Sequence, residues 1–185
     1  MTTAPAAQAA SMTAEQLLEL PDDGLRHELV EGVLRTMAPA GARHGSVAAR
    51  LLLRVGVFVE QQRLGRLYAA ETGFRLRRDP DTVRAPDVAF VRADRVADAE
   101  VPGFLPLAPD LVAEVVGPTD RAAEVTGEAL AWLDAGARLV WVVDPENRTV
   151  TVYRPEGAGV RRGQDALDGE DVLPGFTLPL PELWR

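Results

Sequence analysis

The sequence predicts a mixed α/β (α+β) domain in which a central mixed sheet is flanked by helices. Apolar residues at helical spacing fill 43–64, and short β-branched runs dominate 66–116. A second helical pattern at 121–135 lies between two apolar strand runs. A helix between two such strands is typical of a sheet with helices packed on its faces.

The first elements along the chain are a short helix and a hairpin. Residues 1–11 are Ala-rich and polar, so we expect a disordered arm before a single domain at 12–185. A capping box that begins at Thr13 predicts a helix over 13–20. Strand patterns on both sides of Glu31-Gly32 predict an extra N-terminal hairpin, because Gly adopts the positive φ of a tight turn.

The helix predicted over 43–64 has one apolar face and ends before Gly65, a natural stop. Arg43, Arg50 and Arg54 form a stripe beside that face, which is either a solvated surface or a surface that contacts phosphates. His44 falls near the middle of the apolar face. It is either a hydrogen-bonded structural histidine or a ligand.

The second half of the chain continues with strands and one helix. The helix over 121–135 is expected to be capped by the segment 117–120, and Asp87 and Glu114 each lie in an apolar strand run. The polar, Gly-rich segment 157–169 is predicted to be a mobile loop. The remaining strand patterns cover 66–70, 72–77, 139–143 and 149–153.

Composition excludes several functional classes. The chain has 185 residues and no cysteine, so disulfides and thiolate chemistry are excluded. No apolar run is long enough for a membrane helix, and the N-terminus lacks the pattern of a signal peptide, so we expect a cytoplasmic protein without a membrane partner. The net charge of −8 argues against non-specific binding to nucleic acid over a basic surface. All 20 basic residues are arginine.

Two strand carboxylates are the strongest chemical signal. Asp87 and Glu114 lie in β-branched apolar runs, where an isolated charge is expensive to bury. If the two strands are neighbours, the pair could hold a divalent cation through oxygen ligands. The alternative is a structural ion pair with Arg84 or Arg121.

An ordered set of motifs resembles the Uma family of putative restriction endonucleases, within the PD-(D/E)XK nuclease superfamily. The resemblance covers roughly 15–184, nearly the whole chain. Its motifs are RHELVEG at 26–32, His44, PDV at 86–88, VAEVVGPT at 112–119, LAWLDAG at 130–136 and WVVDP at 141–145.

The resemblance implies a restriction-endonuclease-like core that hydrolyses phosphodiester bonds of DNA with Mg²⁺ or Mn²⁺. It implies Asp87, Glu114 and the main-chain carbonyl of Val115 as metal ligands. Glu28 and His44 match positions beside the same site.

This chain departs from the family at its lysine. In the superfamily a lysine usually lies two residues after the glutamate, where this chain has Val116. The resemblance to the Uma family implies that this lysine has moved to the following helix. Glu128 stands at that position in this chain. Glutamate could accept a proton or bind a second metal there, whereas Arg121 could add charge but not act as a base. A second departure is Gly117 in place of the family's serine.

Two functions from different classes therefore remain open. One is a metal-dependent DNA endonuclease that acts through Asp87, Glu114 and Glu28, with Glu128 in the role of the lysine. The other is a catalytically degenerate nuclease fold that acts as a binding or regulatory module. Endonucleases that cut both strands often pair two sites about a twofold axis, which favours a homodimer. The candidate DNA-facing side chains are Arg43, Arg50, Arg54, Arg75 and Arg77.

Overall fold

The structure is a computed structural model and describes residues 11–96 and 102–185. The predicted disordered arm lies, except for Ser11, outside the described residues. The helices are α1 (Ala14–Leu18), α2 (Ala42–Gln62), α3 (Ala122–Asp134) and α4 (Leu180–Leu183). The strands are β1 (Arg26–Val30), β2 (Val33–Met37), β3 (Gly65–Ala69), β4 (Phe74–Arg77), β5 (Thr82–Arg84), β6 (Val88–Arg92), β7 (Leu111–Val115), β8 (Leu139–Asp144), β9 (Thr149–Arg154), β10 (Gly157–Arg162), β11 (Ala166–Asp168) and β12 (Thr177–Pro179).

A six-stranded mixed sheet with the strand order β10-β9-β8-β7-β6-β3 forms the centre of the molecule. β7 and β8 are parallel and are connected through α3, whereas the other neighbours are antiparallel. Val47, Leu51 and Val55 of α2 pack on one face, and Ala129 and Trp132 of α3 pack on the other. The predicted central mixed sheet flanked by helices is confirmed.

The N-terminal hairpin is part of a second sheet with the order β2-β1-β5-β4. Its turn has positive φ at both Glu31 and Gly32, as the sequence indicated for the glycine. The sequence pattern predicted only a turn between β4 and the Asp87 run, yet β5 lies there. Three residues are too few for a clear period, and β5 forms because β1 and β4 pair with its two edges.

The prediction of a mobile loop at 157–169 is wrong, because this segment contains β10 and β11. β10 pairs with β9 along its whole length, and β11 pairs with β12 in a small separate sheet. β10 is the edge strand of the central sheet and most of its side chains are exposed. Its sequence is therefore polar and Gly-rich, which hides the strand pattern.

Two helix ends also differ from their predictions. α2 ends at Gln62, and Arg63 rather than Gly65 adopts the left-handed conformation after it. Gly65 begins β3, where a Cβ atom would collide with the carbonyl oxygen of Val91. α3 begins after Arg121, and the Asp120 carboxylate accepts a hydrogen bond from the Gly117 N–H instead of capping the helix.

None of the helices within 11–96 and 102–185 combines the length and the apolar character needed to cross a membrane.

Candidate active site

β6 and β7 bring the two strand carboxylates together. Their antiparallel register pairs Val88 with Ala113, so extending it by one residue sets Asp87 opposite Glu114. Because alternate residues of a strand face opposite sides, Glu114 shares the α3 side of the sheet with Val112. The two acids therefore meet at one end of a strand pair that is otherwise apolar.

Asp87 is buried and held from three directions. Its Oδ2 atom accepts a hydrogen bond from the Val115 N–H at 2.8 Å and lies 3.1 Å from His44 Nε2. Its Oδ1 atom lies 3.6 Å from Nη1 of Arg26. These contacts fix the orientation of the carboxylate before any ligand arrives.

His44 lies in the first turn of α2 and is half-buried. Its hydrogen bond with Asp87 raises the pKa of the His44 imidazole, and this effect outweighs the burial that lowers it. The α2 helix therefore presents a histidine to the buried acid rather than to the apolar core alone.

Glu114 interrupts the buried residues of β7 and receives one indole hydrogen bond, from Trp132 Nε1 to Oε1 at 2.9 Å. Burial raises the pKa of Glu114 well above the ordinary value, and the nearby charges of Asp87 and Glu28 raise it further. The predicted ion pairs with Arg84 or Arg121 do not form, since these arginines pair with other glutamates. Glu114 therefore belongs to a cluster of like charges.

Glu28 reaches this cluster from β1 of the second sheet. Its Oε1 atom accepts a hydrogen bond from the Ala85 N–H at 2.9 Å and lies 3.2 Å from Nη2 of Arg26. Burial raises the pKa of Glu28, although the backbone hydrogen bond and the neighbouring arginines oppose that shift. The two sheets thus contribute three carboxylates to one region.

These carboxylates lie in a cleft of about 1190 Å³ between the second sheet, the start of α2 and the start of α3. Two arginines, Arg26 and Arg84, line the described part of this cleft. Its acidic lining residues are Asp22, Glu28, Glu71, Asp87, Glu114, Asp120, Glu124 and Glu128. The described lining of the cleft is therefore strongly acidic.

The donor chemistry of the cluster fits a hard divalent cation. Carboxylate oxygens are the ligands that Mg²⁺ and Mn²⁺ prefer, and a cation would relieve the repulsion that raises the pKa of Glu114. Within the described residues, however, no three His, Asp or Glu side chains already form a complete ligand set. Arg26 and His44 instead contact Asp87.

The sequence profile of the Uma2 family, described as "Putative restriction endonuclease", matches residues 14–181. The chain belongs to the Uma2 family. No curated protein sequence matches it. The crystal structure of a putative nuclease belonging to DUF820 from Anabaena variabilis superimposes with a TM-score of 0.82 at 23% identity, covering 94% of this chain and 97% of that one. At that identity the likeness shows a shared fold.

Glu128 stands on α3 at the rim of the cleft of this Uma2 protein. Its Oε1 atom lies 3.2 Å from Nη1 of Arg84, and 47% of its side chain is exposed. Arg121 is more remote, since it is 82% exposed and lies 3.9 Å from Glu124. Glu128, which the sequence predicted as the replacement for the family lysine, thus pairs with an arginine of β5.

The five arginines predicted to face DNA belong to different elements and differ in their contacts. Arg50 donates to the carbonyl of Leu183 and Arg54 to Glu182, so both contact the α4 segment. On the second sheet, Arg75 contacts Glu15 and Arg77 contacts Glu31, and Arg43 is exposed near the start of α2. None of the five lines the described cleft.

The sequence alone did not identify Arg26 as a cation that contacts both Glu28 and Asp87. Arg26 lies two residues before Glu28 on β1, so the strand period alone places both on one face. The sequence indicated Arg84 only as an alternative ion-pair partner of the strand acids. No local pattern indicates its contacts with Glu28 and Glu128, which join β5, β1 and α3.

Proposed function

We propose that this chain is a metal-dependent DNA endonuclease that hydrolyses phosphodiester bonds in the acidic cleft. The observation that carries the proposal is the register of β6 and β7, which sets Asp87 opposite Glu114 in a buried cluster of like charges. Such a cluster is unfavourable without a cation, and proteins keep unfavourable groups mainly at functional sites. Membership of the Uma2 family supports the same function.

In this proposal Asp87, Glu114 and the carbonyl oxygen of Val115 hold Mg²⁺ or Mn²⁺. A cation held there would supply a water molecule of lowered pKa and positive charge beside the phosphate. The Val115 N–H orients Asp87, and the indole of Trp132 orients Glu114. These hydrogen bonds act as the outer support that metal sites require.

The remaining acids and His44 act around these ligands. Glu28 is held by the Ala85 N–H and adds negative charge that favours a cation. His44 helps to orient Asp87, because its Nε2 atom contacts the Oδ2 atom of that carboxylate. Glu128, at the lysine position on the rim, accepts a proton from the attacking water in this scheme.

The first test is cleavage of supercoiled plasmid by the purified protein with Mn²⁺. The parent is compared with Asp87→Asn, Glu114→Gln and Glu128→Lys, and Asp171→Asn is the matched control because Asp171 is an exposed acid paired with Arg138 elsewhere. The proposal predicts cleavage by the parent and by the control. It predicts a loss of at least about 100-fold in the two ligand variants, since each removes a charged ligand.

The result for Glu128→Lys defines the role of Glu128. A loss of cleavage indicates that the acid itself takes part in the reaction. If the parent does not cleave DNA but Glu128→Lys does, the metal site is intact and lacks only the lysine. Absence of cleavage in every variant rejects the endonuclease.

The acidic cleft and the missing lysine favour a second candidate, a degenerate nuclease fold that binds or regulates. The two candidates differ in metal binding, because an inert module has no need for a cation at Asp87 and Glu114. Calorimetric titration with Mn²⁺ separates them, since the endonuclease predicts binding that Asp87→Asn weakens. A twofold homodimer with paired sites stays a prediction, which sedimentation of the purified protein tests.

A further inference from the structure

The proposed substrate carries negative charge into a cleft that has few cations of its own. Eight carboxylates but only two arginines are among the described lining residues, and the chain has no lysine. A phosphate that approaches Asp87 and Glu114 therefore needs one of these arginines in addition to a bound cation.

Arg26 is already committed to the carboxylates of the cluster. Its two terminal nitrogens lie 3.2 Å from Glu28 and 3.6 Å from Asp87, both of which are buried. Its charge lowers the pKa of Glu114, against the effect of burial. Arg26 thus offsets part of the charge of the carboxylate cluster and is poorly placed to release it for a substrate.

Arg84 is differently placed. It ends β5, and the next residue, Ala85, is tied to Glu28 by the backbone hydrogen bond. Only 12% of its side chain is exposed, so the guanidinium is held in place by its surroundings. Its two carboxylate contacts are Glu28 at 3.7 Å and Glu128 at 3.2 Å.

The contact between Arg84 and Glu128 is the exchangeable one. Glu128 lies on the rim with 47% of its side chain exposed, so water can replace the arginine around its carboxylate. Ion pairs with an exposed partner contribute little to stability, and a phosphate binds a guanidinium with two parallel hydrogen bonds. A phosphate can therefore displace Glu128 without breaking a buried interaction.

We propose that Arg84 is the residue of the cleft that contacts a phosphate of DNA, and that Glu128 forms an ion pair with its guanidinium until DNA binds. The inference rests on the proposed function, because it takes DNA as the substrate. In this inference Arg84, on β5, supplies the positive charge that the resemblance implies for a lysine on α3. Glu128 then limits DNA affinity by competing for Arg84.

The test measures the affinity of a fluorescent DNA duplex in Ca²⁺ over a range of salt concentrations. Each phosphate contact contributes about 0.9 to the slope of log affinity against log salt. Arg84→Gln should lower the magnitude of that slope by about 0.9. The ratio of the parent's DNA affinity to that of the variant should therefore fall about 3.5-fold between about 50 and about 200 mM salt. Arg84→Lys should keep most of the slope.

The matched control is Arg138→Gln, because Arg138 also pairs with an exposed carboxylate, that of Asp171, but lies outside the cleft. It should leave the slope unchanged. Glu128→Gln should bind DNA several-fold more tightly with the slope of the parent, because Arg84 is released but still present. That gain should disappear in the double variant with Arg84→Gln.

An unchanged slope in Arg84→Gln, an equal loss in Arg138→Gln, or no DNA binding by the parent overturns the inference. A Glu128→Gln gain that persists without Arg84 overturns the competition, because it shows simple repulsion. If Arg84→Gln alone does not fold, the double variant with Glu128→Gln decides, because its slope should lie about 0.9 below that of Glu128→Gln. Cleavage and binding are separate readouts, so a protein that binds as predicted but never cleaves rejects only the proposed hydrolysis.

Discussion

Single residues show why burial alone does not identify this site. Asp110 is as buried as Asp87, yet its carboxylate accepts from the Arg92 N–H and pairs with Arg95 at 2.8 Å. Glu114 receives one indole N–H and is surrounded by other acids. The sign of the nearest charges therefore distinguishes Glu114 from the structural acid Asp110.

The indole of Trp132 should support the affinity of Glu114 for metal. Trp132→Phe removes the hydrogen bond to Oε1 while keeping most of the buried ring, so Glu114 loses its orienting donor. We expect Mn²⁺ affinity to fall by about 10-fold or more, as for other outer hydrogen bonds of metal sites. Calorimetric titration measures the change.

Trp141→Phe is the matched control for that substitution. Trp141 is also fully buried, but it lies on the α2 side of the sheet, and its indole nitrogen has no hydrogen-bond partner among the described residues. We expect unchanged Mn²⁺ affinity. Equal weakening in both variants would show that ring packing, not the hydrogen bond, supports the site.

At the scale of elements, α2 joins the core to the cleft. Val47, Leu51, Val55 and Val59 are buried against the central sheet, and the first turn of the same helix carries His44 to Asp87. The apolar face therefore determines where the histidine lies. Loosening that face should affect stability before it affects the chemistry of the cleft.

Leu51 and Leu53 provide a matched pair on this helix. Leu51 is fully buried, whereas Leu53 is 62% exposed. Leu51→Ala should lower the free energy of unfolding by about 2–5 kcal/mol, and Leu53→Ala should change it by less than about 0.5 kcal/mol. Thermal unfolding measures both. Similar effects of the two substitutions would contradict the packing of α2 described above.

At the scale of the whole molecule, the stability of the metal-free protein should depend on the protonation of the cleft. Burial raises the pKa of Glu114 and Glu28, and the hydrogen bond to Asp87 raises that of His44. Groups with a raised pKa bind more protons in the folded than in the unfolded chain. Their contribution to stability is present below the unfolded pKa and is lost as pH rises through the folded pKa.

Glu114→Gln should therefore stabilise the metal-free protein at neutral and higher pH. Gln keeps an acceptor for Trp132 but carries no charge, so the variant should gain about 1 kcal/mol or more near pH 8. That is a rise in melting temperature of about 2–4 °C for a chain of this size. Below the ordinary glutamate value of 4.5 the parent and the variant should agree.

The measurement is thermal unfolding in EDTA from about pH 4 to about pH 8, repeated with Mn²⁺. Mn²⁺ should stabilise the parent and not the variant, which reverses their order. A constant difference between them across pH would show that Glu114 has an ordinary pKa in the folded chain.

The sequence by itself determined the features that arise within a few neighbouring residues. The capping box at Thr13, the turn at Glu31-Gly32 and the apolar period of α2 are local, and the structure has each of them. The two acid-bearing strands and the family were also predictable, because their motifs are short and ordered. Periodicity and turn chemistry suffice for such features.

The tertiary structure alone decided which distant groups meet. β5 and β10 are strands because neighbours pair with them, and their own sequences are too short or too polar to indicate it. Arg84 meets Glu128 across 44 positions of the chain, and Glu28 meets the Ala85 N–H across 57. Since a charge contact depends on where both partners lie in space, no local pattern encodes it.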